Sequence, residues 1–219
     1  DLLYRALYKV VPNRVPAASG GSMNNVMMGG IHRGKPWAFY ETIGVGLGAK
    51  SSADGIDGIQ CNMTNTMNTP IEDMERSLPV IIDRYEFRED SSGAGEFRGG
   101  CGLIRAFEMT GDSTTVTIVS DRARHAPWGL NRGQSGANAQ LFLYEKPGKK
   151  GKLLPIKMTR ILKPHEVIEI RTAGGGGYGN PGKRVASRMD LDLKNELLST
   201  KYIAKNYRSA KSIRNKSRR

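Results

Sequence analysis

Short runs of alternating apolar and polar residues recur along this chain of 219 residues and predict β-strands. They cover residues 37–43, 80–88, 103–119 and 140–144, and a further strand leads into a glycine run that starts at Gly174. Val, Ile, Thr and aromatic residues dominate these runs, as they do in sheets. The pattern therefore predicts a β-rich body of mixed strands.

Helical spacing of apolar residues is confined to the two ends of the chain. Leu2, Leu3 and Leu7 recur at this spacing, and Pro12 stops that element. At the other end the apolar stripe is Leu193, Leu197, Ile203 and Tyr207, beside the basic stripe Lys201, Lys205, Arg208 and Lys211. We therefore predict an α+β fold, with a short N-terminal helix, Gly-rich loops, and a basic C-terminal helix. The expected division is a body of residues 1–182 and a basic helix and tail of residues 183–219.

Glycine is abundant, with 27 residues, and predicts tight turns or close approaches between backbone segments. Residues 16–30 and 44–58 are predicted to be loops, mostly structural ones. The GVGLG segment in the second loop does not meet the dinucleotide fingerprint, because its third glycine comes one residue early and no clear helix follows. The four glycines at 174–177 permit close backbone packing or a tight turn, and the Lys and helix of a phosphate loop do not follow them.

The formal net charge of +13 invites a nucleic-acid hypothesis, but its distribution weakens it. From Lys183 onward there are twelve Lys and Arg against three acids, a net of +9, which leaves +4 for the preceding residues. The part beyond Ser209 is predicted to be basic and frayed. The sequence also contains no RNP, KH or helix-turn-helix pattern, which further weakens the nucleic-acid hypothesis.

The sequence also carries expectations about location and processing. No apolar run approaches the roughly 18 residues that span a bilayer, and the N-terminal residues lack the features of a signal peptide. We expect a cytoplasmic protein with no membrane partner. The chain begins at Asp1, inside the predicted helix, which predicts a fragment or a processed product.

Cysteine and histidine spacing favours no local metal site. Cys61 and Cys101 lack CxxC spacing and are predicted to be buried, idle thiols. His32, His125 and His165 stand in separate predicted loops, without HxxxH or HxH spacing. Distant residues can still converge on a metal.

Residues 54–102 concentrate acids, amides, hydroxyls, arginines and glycines, and we interpret them as the functional surface. Within them Thr69, Pro70 and Glu72 have the form of a helix start, with Thr69 as N-cap and Glu72 completing a capping box. Three further amide or hydroxyl side chains are Thr64, Asn65 and Asn68. They exceed what one cap requires and suit either a small polar ligand or local structure.

The loop that follows residue 88 has the composition of an anion site. Its serines and glycines allow backbone amides to point inward, and Arg88 and Arg98 supply forked donors for a carboxylate or phosphate. Alternatively, Arg98 pairs with Asp90, which is the commoner role for such residues.

Several blocks of the chain resemble the hydantoinase B and 5-oxoprolinase family in order and approximate spacing. They are ETIGVGLGA, DGIDG, NTPIEDMERSLP, the run from Arg88 through EDSSGAGEFRGGCG, DRARHAPWGL and TAGGGGYGNPGKR, and the terminal pattern of Ser199, Ala204 and Tyr207 also fits. The resemblance covers nearly the whole chain. It corresponds to the C-terminal portion of that family's longer subunit.

The resemblance implies a part of an ATP-dependent hydrolase that opens a cyclic amide such as a lactam or hydantoin. A hydantoinase A-type ATPase subunit, with ATP and Mg, would phosphorylate the amide oxygen, and the B-type subunit would hydrolyse the activated ring. Partners would be that A-type subunit and the N-terminal portion of the same B-type subunit, where a divalent metal would be ligated. Acetone and acetophenone carboxylases use the same pairing on ketones, so a carboxylase-like subunit is the alternative.

Ring hydrolysis requires groups that orient the ring, stabilise negative charge and steer water. The predicted substrate-binding residues are Asn65, Asn68, Thr69 and Glu72. The predicted catalytic residues are Asp90 and Glu75, which would orient water, and Arg88 and Arg98, which would stabilise charge. No metal ligand is assigned in this chain.

One departure from the family pattern is Ser92, which stands at the first glycine of the DSGGAG block. The turn there must accept a side chain.

Two other hypotheses remain open: a basic nucleic-acid-binding protein, and a purely structural subunit whose basic helix docks a partner.

Overall fold

Two antiparallel sheets enclose the main hydrophobic core of the computed structural model, which describes residues 1–21, 23–62 and 64–207. In chain order the elements are α1 (Leu2–Leu7), β1 (Asn24–His32), β2 (Lys35–Ile43), α2 (Ile71–Ser77), β3 (Val80–Phe87), β4 (Leu103–Met109), β5 (Thr114–Val119), β6 (Gln140–Tyr144), β7 (Lys152–Leu154), β8 (Lys157–Leu162), β9 (Val167–Arg171), a 3-10 turn (Pro181–Lys183), α3 (Ala186–Lys194) and α4 (Thr200–Asn206). The predicted α+β class is confirmed.

The strand order is β2-β1-β5-β8 in one sheet and β3-β4-β9-β6-β7 in the other. Every pairing is antiparallel, and the two sheets interleave along the chain because β5 and β8 belong to the first sheet while β6 and β7 belong to the second. Period-two alternation in β5, with Val116 and Ile118 buried, turns one face of each sheet toward the core. Phe107 and Ile168 face them from the second sheet, and Met74 of α2 joins the same cluster.

A second, glycine-rich region has almost no side chains at its centre. It consists of residues 17–20, 45–49, 54–58, 91–101, 127–137 and 173–178, and we call it the glycine bundle. The amides of Gly174, Gly175, Gly176 and Gly177 donate in turn to the carbonyls of Ala137, Gly100, Ala18 and Gln134. Four consecutive residues thus bind three other stretches of the bundle, 17–20, 91–101 and 127–137, and the glycine run is the central segment of the bundle.

Close approach, not positive φ, explains why the central segment is glycine. A Cβ on Gly175 would lie 2.0 Å from the carbonyl oxygen of Leu47, and one on Gly174 would lie 1.9 Å from that of Ser91. Backbone atoms cannot move aside as a flexible side chain can. The predicted close packing at 174–177 is therefore confirmed.

The C-terminal region is helical as predicted but divides into α3 and α4, which are separated at residues 195–199. Met189, Leu198, Ile203 and Tyr207 pack with Ala94 of the glycine bundle. Arg208, Lys211 and the tail predicted beyond Ser209 lie outside the described residues.

The structure corrects three local predictions. Residues 16–30 were expected to be loop, but β1 begins at Asn24, because Val26 and Met28 fill the core and the following glycines admit carbonyls of neighbouring strands. Strands were predicted within residues 103–119, and the structure has β4 and β5 there. The short strands β7 and β8 were not predicted, and His32 ends β1 instead of standing in a loop.

Among the described helices, none combines the length and apolar character that crossing a membrane requires. The cytoplasmic location stays a prediction.

Replacing Gly175 with alanine is predicted to destabilise the fold by about 3 kcal/mol, because overpacking against rigid backbone has no inexpensive relaxation. Denaturant unfolding followed by circular dichroism measures the loss. Gly182→Ala is the matched control, since a Cβ there meets only Asn180 Oδ1 at 3.4 Å. Equal stability of the two variants would contradict the packing account of the central segment.

Candidate functional site

A cleft of about 450 Å³ lies where the segment before α2 passes β3. Its lining is Gly44, Gly58, Ile59, Gln60, Asn65, Thr66, Met67, Asn68, Thr69, Pro70, Ile71 and Tyr85. We call it the amide cleft because amides and hydroxyls supply most of its polar groups. Residues 64–70 form one wall and have no regular secondary structure.

A buried carboxylate on β2 holds that wall. Glu41 is only 5% exposed, and its Oε1 accepts hydrogen bonds from Asn68 Nδ2 and from the Thr69 amide, the latter at 3.1 Å. The neighbouring Thr42 adds two contacts, since its carbonyl accepts from Asn68 Nδ2 at 2.8 Å and its hydroxyl lies 2.7 Å from that of Thr66. The wall is therefore tied to the first sheet.

The second sheet reaches the same wall through a buried arginine. Arg105 of β4 is fully buried, and its Nη2 lies 3.1 Å from Glu41 Oε2. Its guanidinium carbon stands 4.3 Å from the centre of the Tyr85 ring, a cation–π contact. The Tyr85 hydroxyl donates to Asn68 Oδ1 at 3.0 Å, so Glu41, Asn68, Tyr85 and Arg105 form a closed circuit of contacts.

The protonation of Glu41 reflects competing influences. Burial raises the pKa of Glu41, and the charge of Arg105 with the hydrogen bonds from Asn68 and Thr69 only partly offsets it, so the pKa stays above its ordinary value. A raised pKa means that this carboxylate opposes folding above that pKa and that its unfavourable contribution falls as pH drops through it.

An adjoining cleft of about 830 Å³ shares Tyr85 and Gly58 with the amide cleft. Its remaining lining is Asp57, Glu86, Phe87, Glu89, Leu103, Asn195 and Glu196. Burial, followed by the charges of Asp90 and Glu196, raises the pKa of Glu89. Tyr85 thus separates an uncharged cleft from an acidic one.

Behind these clefts, a buried charge network joins the glycine bundle to the C-terminal helices. Arg98 binds both oxygens of Asp57, at 2.7 and 3.0 Å, and Asp192 Oδ1 at 2.8 Å. Arg184 binds Asp192 Oδ2 at 2.6 Å and both oxygens of Asp54. Burial lowers the pKa of Arg98, but hydrogen bonds and charge from Asp57 outweigh it and raise the pKa above its ordinary value.

The family model described as hydantoinase B/oxoprolinase matches residues 1–181. The chain belongs to this family.

Relatives agree with this membership. An uncharacterized protein of Methanocaldococcus jannaschii is 47% identical over 210 residues, which cover 95% of this chain and 36% of that protein. 5-oxoprolinase 1 of Arabidopsis thaliana is 40% identical over 164 residues, which cover 75% of this chain and 12% of the enzyme. The crystal structure of ATP-dependent caprolactamase from Pseudomonas jessenii aligns with a TM-score of 0.78 at 27% identity, covering 91% of this chain and 36% of that chain.

This member of the hydantoinase B/oxoprolinase family thus spans about a third or less of the length of these relatives.

Three of the four predicted substrate-binding residues line the amide cleft: Asn65, Asn68 and Thr69. Glu72 lies exposed on α2 and does not line it. The predicted capping box is wrong, since α2 begins at Ile71 after Pro70 and no side chain caps it. The physical reason is that Glu41 already binds the Thr69 amide and holds that residue outside the helix.

The predicted catalytic residues lie apart from the amide cleft and serve structural contacts. Asp90 accepts from the Ser199 amide and hydroxyl, at 2.7 and 2.6 Å, so its predicted pairing with Arg98 is wrong. Arg88 donates to the carbonyls of Asn138 and Thr172, and burial lowers its pKa to about 10. Glu75 accepts from the Ile82 amide at 2.9 Å.

Two residues of the circuit, Glu41 and Arg105, were missed in the sequence. The signal was present: Glu41 shares the strand phase of Phe39 and Ile43, and Arg105 shares that of Leu103 and Phe107. A charged residue on the apolar phase of a strand must find a partner inside the protein. An acid and a base that both lie on the apolar phase of predicted strands are therefore expected to form an ion pair inside the protein.

Cys61 and Cys101 are both free and buried, as predicted. Among residues 1–21, 23–62 and 64–207, no group of three or more His, Cys, Asp or Glu side chains is arranged to hold a metal ion.

Replacing Asp192 with asparagine is predicted to destabilise the protein by at least about 3 kcal/mol. The carboxylate of Asp192 neutralises the buried guanidiniums of Arg98 and Arg184, and the NH2 group of asparagine would have to face one of them. Asp190→Asn on the exposed side of α3 is the control and should change stability by under about 0.5 kcal/mol. Denaturant unfolding of both variants checks this, and similar midpoints would contradict the role of the network.

Burial raises the pKa of Cys101 to about 11, so about one thiol in a thousand is ionised at pH 8. In a Cys61→Ser variant, Cys101 is predicted to resist a disulfide thiol reagent at pH 8 in the native state and to react fully after denaturation. Native reaction at the rate of a free cysteine would refute the prediction.

Proposed function

We propose that this chain is part of a subunit of an ATP-dependent cyclic amide hydrolase and that the amide cleft forms one wall of its ring-binding site. The observation that carries the proposal is the wall of amides and hydroxyls held in place by Glu41 and Arg105. A lactam ring presents one amide donor and one carbonyl acceptor, and a hydantoin ring presents two of each, which such a wall matches.

Individual wall residues would act differently. Asn68 has both amide hydrogens engaged, by Glu41 and the Thr42 carbonyl, so it positions the wall instead of donating to a ligand. Asn65 and the Thr69 hydroxyl have no hydrogen-bond partner among the described residues. These two groups are the proposed ring contacts.

The chemistry proposed for the complete enzyme is phosphorylation of the ring amide oxygen by an A-type ATPase subunit, with ATP and Mg bound there. Phosphorylation converts the oxygen into a leaving group. Water then adds to the carbon, and the ring C–N bond breaks as the nitrogen takes up a proton, which leaves an acyl phosphate; a second water displaces the phosphate and gives the ring-opened carboxylate. The described residues offer no fitting ligand set for a divalent metal.

The catalytic roles predicted for Asp90, Glu75, Arg88 and Arg98 stay predictions. Their present contacts favour a supporting role, because each already satisfies a backbone or charged group within the fold. The purely structural hypothesis and the carboxylase-like alternative are separated from hydrolysis by the same experiment.

The test combines the complete B-type subunit with its A-type partner and supplies ATP with a panel of lactams and hydantoins. Stoichiometric release of phosphate and ring-opened product is expected. Asn65→Ala is predicted to raise the KM for the ring about tenfold, the effect of losing one hydrogen bond.

Asn206→Ala, an amide on α4 that does not line the amide cleft, is the control and should leave KM unchanged. Absence of turnover across the panel would overturn the proposed hydrolase. Consumption of bicarbonate with acetone or acetophenone would establish the carboxylase alternative instead.

A further inference from the structure

The wall of the amide cleft owes its shape to β2 more than to its own secondary structure. Between Thr64 and Pro70 there is neither helix nor strand. The contacts that fix this stretch are those of Asn68 and Thr69 with Glu41, and of Thr66 and Asn68 with Thr42. Removing Glu41 would therefore release the wall at Asn68 and Thr69.

We propose that Glu41 is a positioning residue for the cyclic amide: its carboxylate holds Asn68 and Thr69 so that the wall presents Asn65 and the Thr69 hydroxyl to the ring. The inference rests on the proposed function and adds to it a residue that does not line the cleft. Glu41 acts through the wall and touches no reacting atom.

A carboxylate suits this position because both of its oxygens face positively polarised groups. Oε1 accepts from the side chain of Asn68 and the backbone of Thr69, while Oε2 lies 3.1 Å from Nη2 of Arg105 as an ion pair. Glutamine has a single carbonyl oxygen, so its amide group would face either that guanidinium or the donors of Asn68 and Thr69. Such a change keeps the volume and loses the electrostatic match.

Arg105 makes the position of Glu41 rigid. It is clamped between the rings of Tyr85 and Phe107, at 4.3 and 5.4 Å from its guanidinium carbon, and Nη2 also donates to the sulfur of Met74 at 3.2 Å. Because Tyr85 in turn donates to Asn68, movement of the wall disturbs both sheets. The circuit therefore couples the geometry of the wall to the core strands β2, β3 and β4.

The experiment uses the complete B-type subunit with its A-type partner and compares Glu41→Gln, Asn68→Ala and wild type. We expect KM for the ring to rise about tenfold in both variants, while KM for ATP and kcat stay within about twofold, because the defect lies in ring binding. Hydrogen exchange should show that the Thr69 amide loses protection in Glu41→Gln.

Asp73→Asn is the control: this residue is an exposed acid on α2 whose side chain contacts only Arg76 among the described residues. It should leave both KM values and the exchange of Thr69 unchanged. Asn68→Ala also guards against a folding defect in Glu41→Gln, since Asn68 lies outside the hydrophobic core.

The outcomes separate the two proposals. Wild-type enzyme that opens rings, with unchanged ring KM in folded Asn68→Ala and Glu41→Gln, would overturn the positioning role alone. A fall in kcat with constant KM would also overturn it, because Glu41 would then act in the chemical step. Wild-type enzyme inactive on every ring would overturn the proposed function and this inference with it.

Discussion

The absence of room for a Cβ at the centre of the glycine bundle is the constraint on which the rest of the structure depends. The amides of residues 174–177 donate to three different stretches of backbone, and the carbonyls of Gly175, Gly176 and Gly177 accept from Gly93, Ala49 and Leu130. Backbone hydrogen bonds therefore replace side-chain packing as the cohesive interaction there. The loops that carry Asp57 and Arg98 take their positions from this arrangement.

Because the glycine bundle has almost no side chains at its centre, it offers little apolar surface to the elements that pack on it. Buried ion pairs supply part of the attachment instead. Asp192 lies between Arg98 and Arg184 and fastens α3 to loops that begin near Asp54 and Asp57. Buried charges of this kind stabilise only as a complete set, since one missing partner leaves another desolvated and unpaired. Glu41 and Arg105 form a similar buried ion pair between the two sheets.

Sequence periodicity predicted β2, β3, β6 and the α+β class, because alternation is a local property of the residues concerned. It missed β1, where glycine and asparagine obscure the alternation, and it could not find the partner of Arg98, since Asp192 lies 94 residues away. For the site, amide-rich composition singled out Asn65, Asn68 and Thr69, which line the amide cleft, whereas the catalytic candidates, also chosen for their polar and charged composition, are engaged in internal contacts. Long-range pairing is set by the fold, which composition does not encode.

The glycine bundle also has a consequence for the order in which the protein acquires its structure. Its outer segments come from residues 17–20 through 127–137, but the segment that joins them, 173–178, follows all of them in the sequence and is synthesised after them. Until then the outer segments lack their common partner, and such non-local contacts form slowly because loop closure must precede them. Assembly of this region is consequently a cooperative event that cannot be completed before residues 173–178 have been synthesised.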